Sequence, residues 1–441
     1  MQSLSSVVLP PQLAAAGAPA QWLALARQTL FCRRQPKKID PVAFLLGLCL
    51  WAAQPVPTLR RAASFIGLYA GRTVSKQNIA KRFQVPAVEF VRAALAVVLA
   101  RLAQRAARLP QGAFSRFRRL LVQDSTAVGL PATLAAQFPG NANGRGHALA
   151  VLKIQCIYDV LAERFVRWYL TSFRVNDQQA AADILTVVQR DDLVIRDLGY
   201  FSLDALHQMA ERGVFFLSRL WKGVGLWSTS GQPRHSVSGL DWLGVLQHDG
   251  WLDVEVQLGA SAQLPVRLVA VPVSAAVANE RRRKARQDRG SRHPPSAKRL
   301  LLLGWDIFIT NVPSAVWSAR TVCQVYGVRW RIEIVFKSAK SHFHLEAVPR
   351  ASAAEVELLI WARLLLITLW QGWLAAYPPA DQDPPLSLLK AAEFFDLFCP
   401  VLLLAPVGAE LPLRWHCQMR YHCRYEKRKR INFAQKLAAL G

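Results

Sequence analysis

Two short apolar runs, Arg119-Leu-Leu-Val-Gln-Asp124 and Leu193-Val-Ile-Arg-Asp197, have strand character, and each stops on an aspartate. Between them lie strand-like runs Leu152 to Tyr158 and Arg164 to Thr171, joined by a hairpin at Asp159 to Glu163. A helical stretch from Gln178 to Gln189 follows, with Asn176 and Asp177 as its cap. After Asp197, Ser202 caps a helix to Arg212, and Val214 to Arg219 reads as a fifth strand. Three strands, a helix, a strand, a helix and a strand predict an α/β fold with one mixed sheet and flanking helices. Strand ends in such sheets are where ligands gather. A strand-end aspartate is more often a turn former or helix cap, however, so the pair alone does not define a site.

The rest of the chain divides around this core. Residues 1–110 have helical periodicity throughout. Within them Thr73 to Phe83 is a short amphipathic helix with Ser75 as N-cap, then a turn at Gln84 to Pro86, then a longer helix to about Leu109. Lys76, Lys81 and Arg82 on this pair suit a helix-turn-helix-like DNA contact, or a plain helical hairpin with a basic face. Residues 111–220 hold the first part of the core, 221–300 a β-rich insertion with a basic arm, and 301–385 the second part. Residues 386–441 form a basic C-terminal region. The insertion carries strand-like runs at Leu252 to Leu258 and Val266 to Val273, and the arm holds Arg281, Arg282, Arg283 and Lys284. A strand from Leu301 to Thr310 and one long helix from Ser318 to Ser341 complete the core. Val42 to Ala53 is too short to span a bilayer, and Leu358 to Ala375 is interrupted by Arg363 and Gln371, so both read as buried core helices.

Charge narrows the function. Lys and Arg number 55 against 29 Asp and Glu, a formal net charge of +26. An excess this large repels itself and normally serves a polyanion, with nucleic acid ahead of an anionic membrane. The basic segments carry few of the large apolar residues of a membrane-surface helix, so the rival reading as a basic membrane-surface protein is set behind DNA and no membrane partner is expected. Seven cysteines without a framework spacing fit a reducing compartment, and the N-terminus has no basic n-region of a signal peptide. His416, Cys417, His422 and Cys423 match no common zinc spacing, and no phosphate loop of the Gly-Lys-Ser/Thr type is present.

The third carboxylate changes what the two aspartates mean. Spaced along one predicted helix, Tyr326, Arg329, Trp330, Glu333, Lys337 and Lys340 share a face. One carboxylate among cationic and aromatic groups makes a poor core stripe. It suits phosphodiester chemistry, with Glu333 on a divalent metal and Arg329, Lys337 and Lys340 on phosphates.

These four blocks resemble a known family. Tyr326, Arg329, Glu333 and Lys340 match the Tyr-x2-Arg-x3-Glu-x6-Lys signature of DDE transposases encoded by bacterial insertion sequences. Gln123-Asp124-Ser125-Thr126 is similar to that family's first aspartate block, and Arg196-Asp197-Leu198-Gly199-Tyr200-Phe201 to its second. Trp305 to Asn311 resembles the strand before the glutamate helix. Leu198 departs from the Arg or Ala usual after the second aspartate. The resemblance implies a ribonuclease-H-like core and a cut-and-paste transposase acting on inverted-repeat ends and target DNA. It implies two Mg²⁺ ions, replaceable by Mn²⁺, on Asp124, Asp197 and Glu333, with Tyr326, Arg329 and Lys340 on DNA. It also implies a DNA hairpin intermediate, for which Trp305 would receive a flipped base and Trp330 would hold it out. A homodimer on DNA, at the nucleoid of a prokaryotic cytoplasm, completes the expectation. The alternative on the same fold is a non-catalytic DNA-binding remnant or inhibitor.

Overall fold

Strand β1 (Arg119–Leu130) organises the sheet. It pairs antiparallel with β3 (Ala148–Asp159) on one side and parallel with β5 (Asp192–Arg196) on the other. The other edge of β3 takes β2 (Pro139–Ala142) and β4 (Arg164–Ser172), and β5 is followed by parallel β6 (Phe215–Arg219). The order β4-β3-β1-β5-β6, with β3 reversed, is the ribonuclease-H-like arrangement. The computed structural model describes residues 19–36, 38–104, 111–142, 144, 146, 148–221, 224–228, 250–259, 264–288, 294–376, 385–404, 411–425 and 432–440.

Three local expectations are corrected. Strand β1 does not stop at Asp124 but runs on to Leu130, because every residue from Leu121 to Leu130 finds a partner on β3. The predicted helix from Gln178 is a 3-10 helix over Gln179–Thr186. There the Gln123 side-chain amide donates to the Ala180 carbonyl at 2.9 Å and takes an acceptor an α-helix would use. The long helix after Ser318 is broken into α9 (Ala319–Tyr326), a 3-10 turn at Gly327–Arg329 and α10 (Trp330–Ser341).

Beyond β6 the sheet continues through β10 (Trp305–Thr310), β9 (Leu264–Pro272), β8 (Leu252–Leu258) and β7 (Leu226–Ser228), all antiparallel. The strands between 221 and 300 therefore extend the core sheet. After β9 comes α7 (Ala275–Arg286), capped by Ser274, which carries the basic arm. Of the C-terminal cations, Lys427, Arg428, Lys429 and Arg430 lie outside the described residues.

The helical side is built on α2 (Pro41–Ala52), whose residues are apolar all round and nearly all buried. Asp40 caps it by accepting from the Val42 and Ala43 amides, both at 2.9 Å. Helix α3 (Leu59–Tyr69) crosses it at Gly47, where any Cβ would lie 2.5 Å from Ile66. Ser75 caps α4 (Lys76–Arg82), which bends by 74° into α5 (Val85–Ala103). Lys76 and Lys81 are exposed, whereas the Arg82 guanidinium sits 5.9 Å from the Phe31 ring. Helix α11 (Ala353–Ala376) runs buried between α5, α2 and β4. Among the described residues no single helix is long and apolar enough to cross a membrane.

A fully buried arginine joins these helices. Arg363 of α11 donates to the carbonyls of Ala52 (3.2 Å), Gln54 (3.4 Å) and Ala347 (2.9 Å). It thereby satisfies the C-terminal end of α2, and burial pulls its pKa down to about 9. Arg363→Leu should destabilise the protein by about 3 kcal/mol, roughly 1 kcal/mol for each orphaned carbonyl. Chemical denaturation measures it, and an unchanged midpoint contradicts this account of the α2 end.

Candidate active site

Parallel β1 and β5 bring their aspartates to one edge of the sheet. Asp124 lies past the last β1–β5 pair, Gln123 with Arg196, and Asp197 follows Arg196 directly. The Asp197 side chain is not consumed in capping the 3-10 turn at Leu198–Tyr200. Asp124 accepts from the Ser125 amide at 2.8 Å. Glu333 comes from the first turn of α10.

One cation stands between them. Arg329 is 7% exposed, and its guanidinium lies 3.4 Å from Asp124 and 2.7 Å from Glu333. The Tyr326 hydroxyl donates to Asp197 at 3.4 Å. The guanidinium also lies 5.5 Å from the Trp330 ring and 6.0 Å from the Tyr326 ring. Among the described residues no three carboxylate, imidazole or thiol groups converge as a metal cluster. The carboxylates face the Arg329 guanidinium instead, and with oxygen donors alone they form a hard ligand set suited to Mg²⁺.

The electrostatics follow from burial. Burial pushes Asp124 up to about 6, helped by Asp197 and Glu333 and opposed by the Ser125 amide and Arg329. Tyr326 is pushed up to about 12, chiefly by burial and then by Asp197. Burial pulls Arg329 down, but Asp197, Tyr326, Asp124 and Glu333 outweigh it and raise its pKa.

The remaining candidates scatter. The helix break turns Tyr326 and Arg329 into the protein, while Trp330 is 56% exposed and Lys337 faces solvent. Lys340 pairs with Glu346 at 2.7 Å. Trp305 opens β10, half-buried against the cluster of Leu252, Leu268 and Ile309. In the arm, Arg281 is tied to Asp306 at 2.9 Å and Arg282 to the Leu300 carbonyl at 3.0 Å. Arg283 and Lys284 share Glu280, whose carboxyl Arg283 holds down to about 2. Asp159 ends β3, and its side chain serves the hairpin turn by accepting from the Ala162 amide at 3.3 Å.

Sequence reasoning missed Arg219. It ends β6 one residue beyond the Arg196–Ser218 pair, so it is the neighbour of Asp197 across the parallel strands. Its guanidinium lies 5.5 Å from the Tyr326 ring and 2.9 Å from Asp306. The signal was available: like Asp124 and Asp197, it is a charged residue directly after a short apolar run, and all three lie at the same end of the parallel strands.

A model of the transposase DDE domain matches residues 115–369, more than half of the chain. The protein belongs to the DDE transposase family. It is 28% identical over 362 residues to the transposase for insertion sequence element IS231F of Bacillus thuringiensis subsp. israelensis, covering 78% of this chain and 75% of that one. The transposase for element IS1151 of Clostridium perfringens is 23% identical over 334 residues, covering 71% and 69%. The putative transposase InsL for IS186A of Escherichia coli strain K12 is 27% identical over 347 residues, covering 75% and 84%. A piggyBac transposase synaptic complex with hairpin DNA, solved by cryo-EM, aligns at 8% identity and a TM-score of 0.44 over 98% of this chain and 88% of that one.

In this family member the raised pKa of Asp124 sets a stability trend. Folded Asp124 titrates near 6 and unfolded aspartate near 3.8, so the folded state binds the extra proton between them. Its contribution is therefore fully present below pH about 4 and is lost as pH rises through about 6. Metal-free Asp124→Asn should match the parent near pH 4 and exceed it by up to about 3 kcal/mol above pH 6. Denaturation in chelator across this range checks it; a variant less stable at pH 7 contradicts it.

Proposed function

We propose that this chain is a cut-and-paste DNA transposase that cleaves the ends of its element and joins them to target DNA by two-metal-ion phosphodiester chemistry. The observation that carries this reading is the position of Asp124, Asp197 and Glu333, from β1, the end of β5 and α10, around one buried cation. Two Mg²⁺ ions, or Mn²⁺ in their place, would activate the attacking oxygen and stabilise the leaving one.

The other residues handle DNA. Lys337 is exposed on the turn of α10 after Glu333, where it can take a phosphate, and Lys340 can exchange Glu346 for one. Tyr326 and Arg329 offer a hydroxyl and a planar fork of donors to a phosphate beside the carboxylates. Arg283 and Lys284 bring two cations against the single charge of Glu280, which leaves the arm net positive for the backbone of the duplex. The relatives are named for insertion sequence elements, which supports transposon ends as the substrate; we take the nucleoid as the place of action. We take a homodimer on DNA as the working form.

Second-strand cleavage would go through a hairpin, with the displaced base stacked on tryptophan. Trp330 has an open face, and Trp305 a partly open one. Trp305→Ala should nick the first strand but stall before the hairpin, with partial rescue by an abasic end, since each stacked base is worth about 1–3 kcal/mol. Normal hairpin formation by this variant would make Trp305 a packing residue.

The central test concerns the carboxylates. Asp124→Ala, Asp197→Ala and Glu333→Ala should each abolish Mg²⁺-dependent cleavage and leave DNA binding largely intact. Cleavage that survives in one variant removes that residue from the set, and a parent that never nicks points to the non-catalytic alternative.

A further inference from the structure

Asp177 was expected to cap the helix that follows it, but Asn176 does that, accepting from the Gln179 amide at 2.8 Å. Asp177 points elsewhere. Side chains alternate along β1, so Asp124 faces the carboxylate site and Ser125 faces the other side of the sheet. On that rear side Asp177 Oδ1 accepts from Ser125 Oγ at 3.0 Å and from Lys153 Nζ at 3.2 Å. Lys153, 8% exposed on β3, also donates to the Val175 carbonyl at 2.7 Å.

The same residue lies beside the turn that follows the second aspartate. A Cβ on Gly199, two residues after Asp197, would sit 3.6 Å from both Cβ and Oδ2 of Asp177. Next to Gly199, the Tyr200 hydroxyl donates to Gln155 Oε1 at 2.5 Å. Gln155 is the cross-strand partner of Ser125. The contacts form a chain: Asp177 to Ser125, across to Gln155, and on to the Tyr200 hydroxyl, while Asp177 itself lies beside the Gly199 backbone. One end of this chain is fixed to the residue after Asp124 and the other to the turn after Asp197.

We propose that Asp177 is a positioning residue that sets the spacing of Asp124 and Asp197 from behind the sheet, an inference that rests on the metal-site reading above. Mg²⁺ demands near-ideal geometry, so small displacements of its carboxylates are costly. Groups that orient metal ligands typically carry about 10- to 100-fold in metal affinity.

The test is a Mn²⁺ titration of the full chain without DNA, followed by electron paramagnetic resonance, beside a denaturation curve for each variant. Asp177→Asn is near-isosteric but loses the charge against Lys153, and Ser125→Ala breaks the same link from β1. Both should stay folded and bind Mn²⁺ about tenfold or more weakly, with Asp177→Ala weaker still. Parental Mn²⁺ affinity in Asp177→Asn and Ser125→Ala overturns the proposal. So does a lowered denaturation midpoint with unchanged affinity of the folded protein, which is the mark of a purely structural role. Asp124→Asn serves as the control: if it binds Mn²⁺ as the parent does, the metal-site reading fails, and the inference fails with it.

Discussion

Three carboxylates cannot be held together in a partly buried cleft without a cation among them, and here that cation is Arg329. At ~4 Å and an effective dielectric of ~20, each opposite-charge contact contributes about 4 kcal/mol before desolvation, and each like-charge contact costs as much. The guanidinium touches Asp124 and Glu333 and rests between the rings of Tyr326 and Trp330. Its placement requires the helix break at Gly327–Arg329, which turns Arg329 inward while Glu333 stays one helical turn further on. The strand that carries Asp124 and the helix that carries Glu333 meet at this one group, and Asp197 is held beside it by the Tyr326 hydroxyl.

Arginine does comparable work across the molecule, which changes how the net charge is to be read. Arg119 of β1 pairs with buried Asp192 at 2.5 Å, and Arg331 of α10, 3% exposed, pairs with Glu163 in the β3–β4 hairpin. Arg267 of β9 pairs with Asp253 of β8, and Arg363 closes the end of α2 without any carboxylate. Many of the acidic residues are thus spent on internal pairs. The surface left to a polyanion is made by shorter stretches than the 55 basic residues suggest, such as Lys76, Lys81, Arg283, Lys284 and Lys337.

Much of this was readable in the chain, for identifiable reasons. Strands β3, β4, β5 and β6 have apolar runs bounded by turn residues, and the family blocks lie in order on β1, the end of β5, β10 and the α9–α10 segment. Periodicity could not show where β1 ends, because residues past Asp124 are held by pairing with β3 and not by their own pattern. It could not show the break between α9 and α10 either. Gly327 is the one poor helix former there, and a single glycine is tolerated in many helices. The contacts of Arg219, Asp306 and Asp177 stayed hidden because each meets a neighbour distant in sequence: Tyr326, Arg281 and Ser125.

The excursion from β6 to β10 begins and ends on adjacent, hydrogen-bonded strands, and β7, β8 and β9 extend the same sheet beyond them. Both ends of the segment 220–304 are therefore pinned beside Asp197 whatever lies between them. Loop-closure entropy grows only with the logarithm of length, about 0.6 kcal/mol per doubling. That stretch, and the charged surface it carries, can therefore be lengthened, shortened or replaced at little entropic cost without moving the strands that hold Asp124 and Asp197.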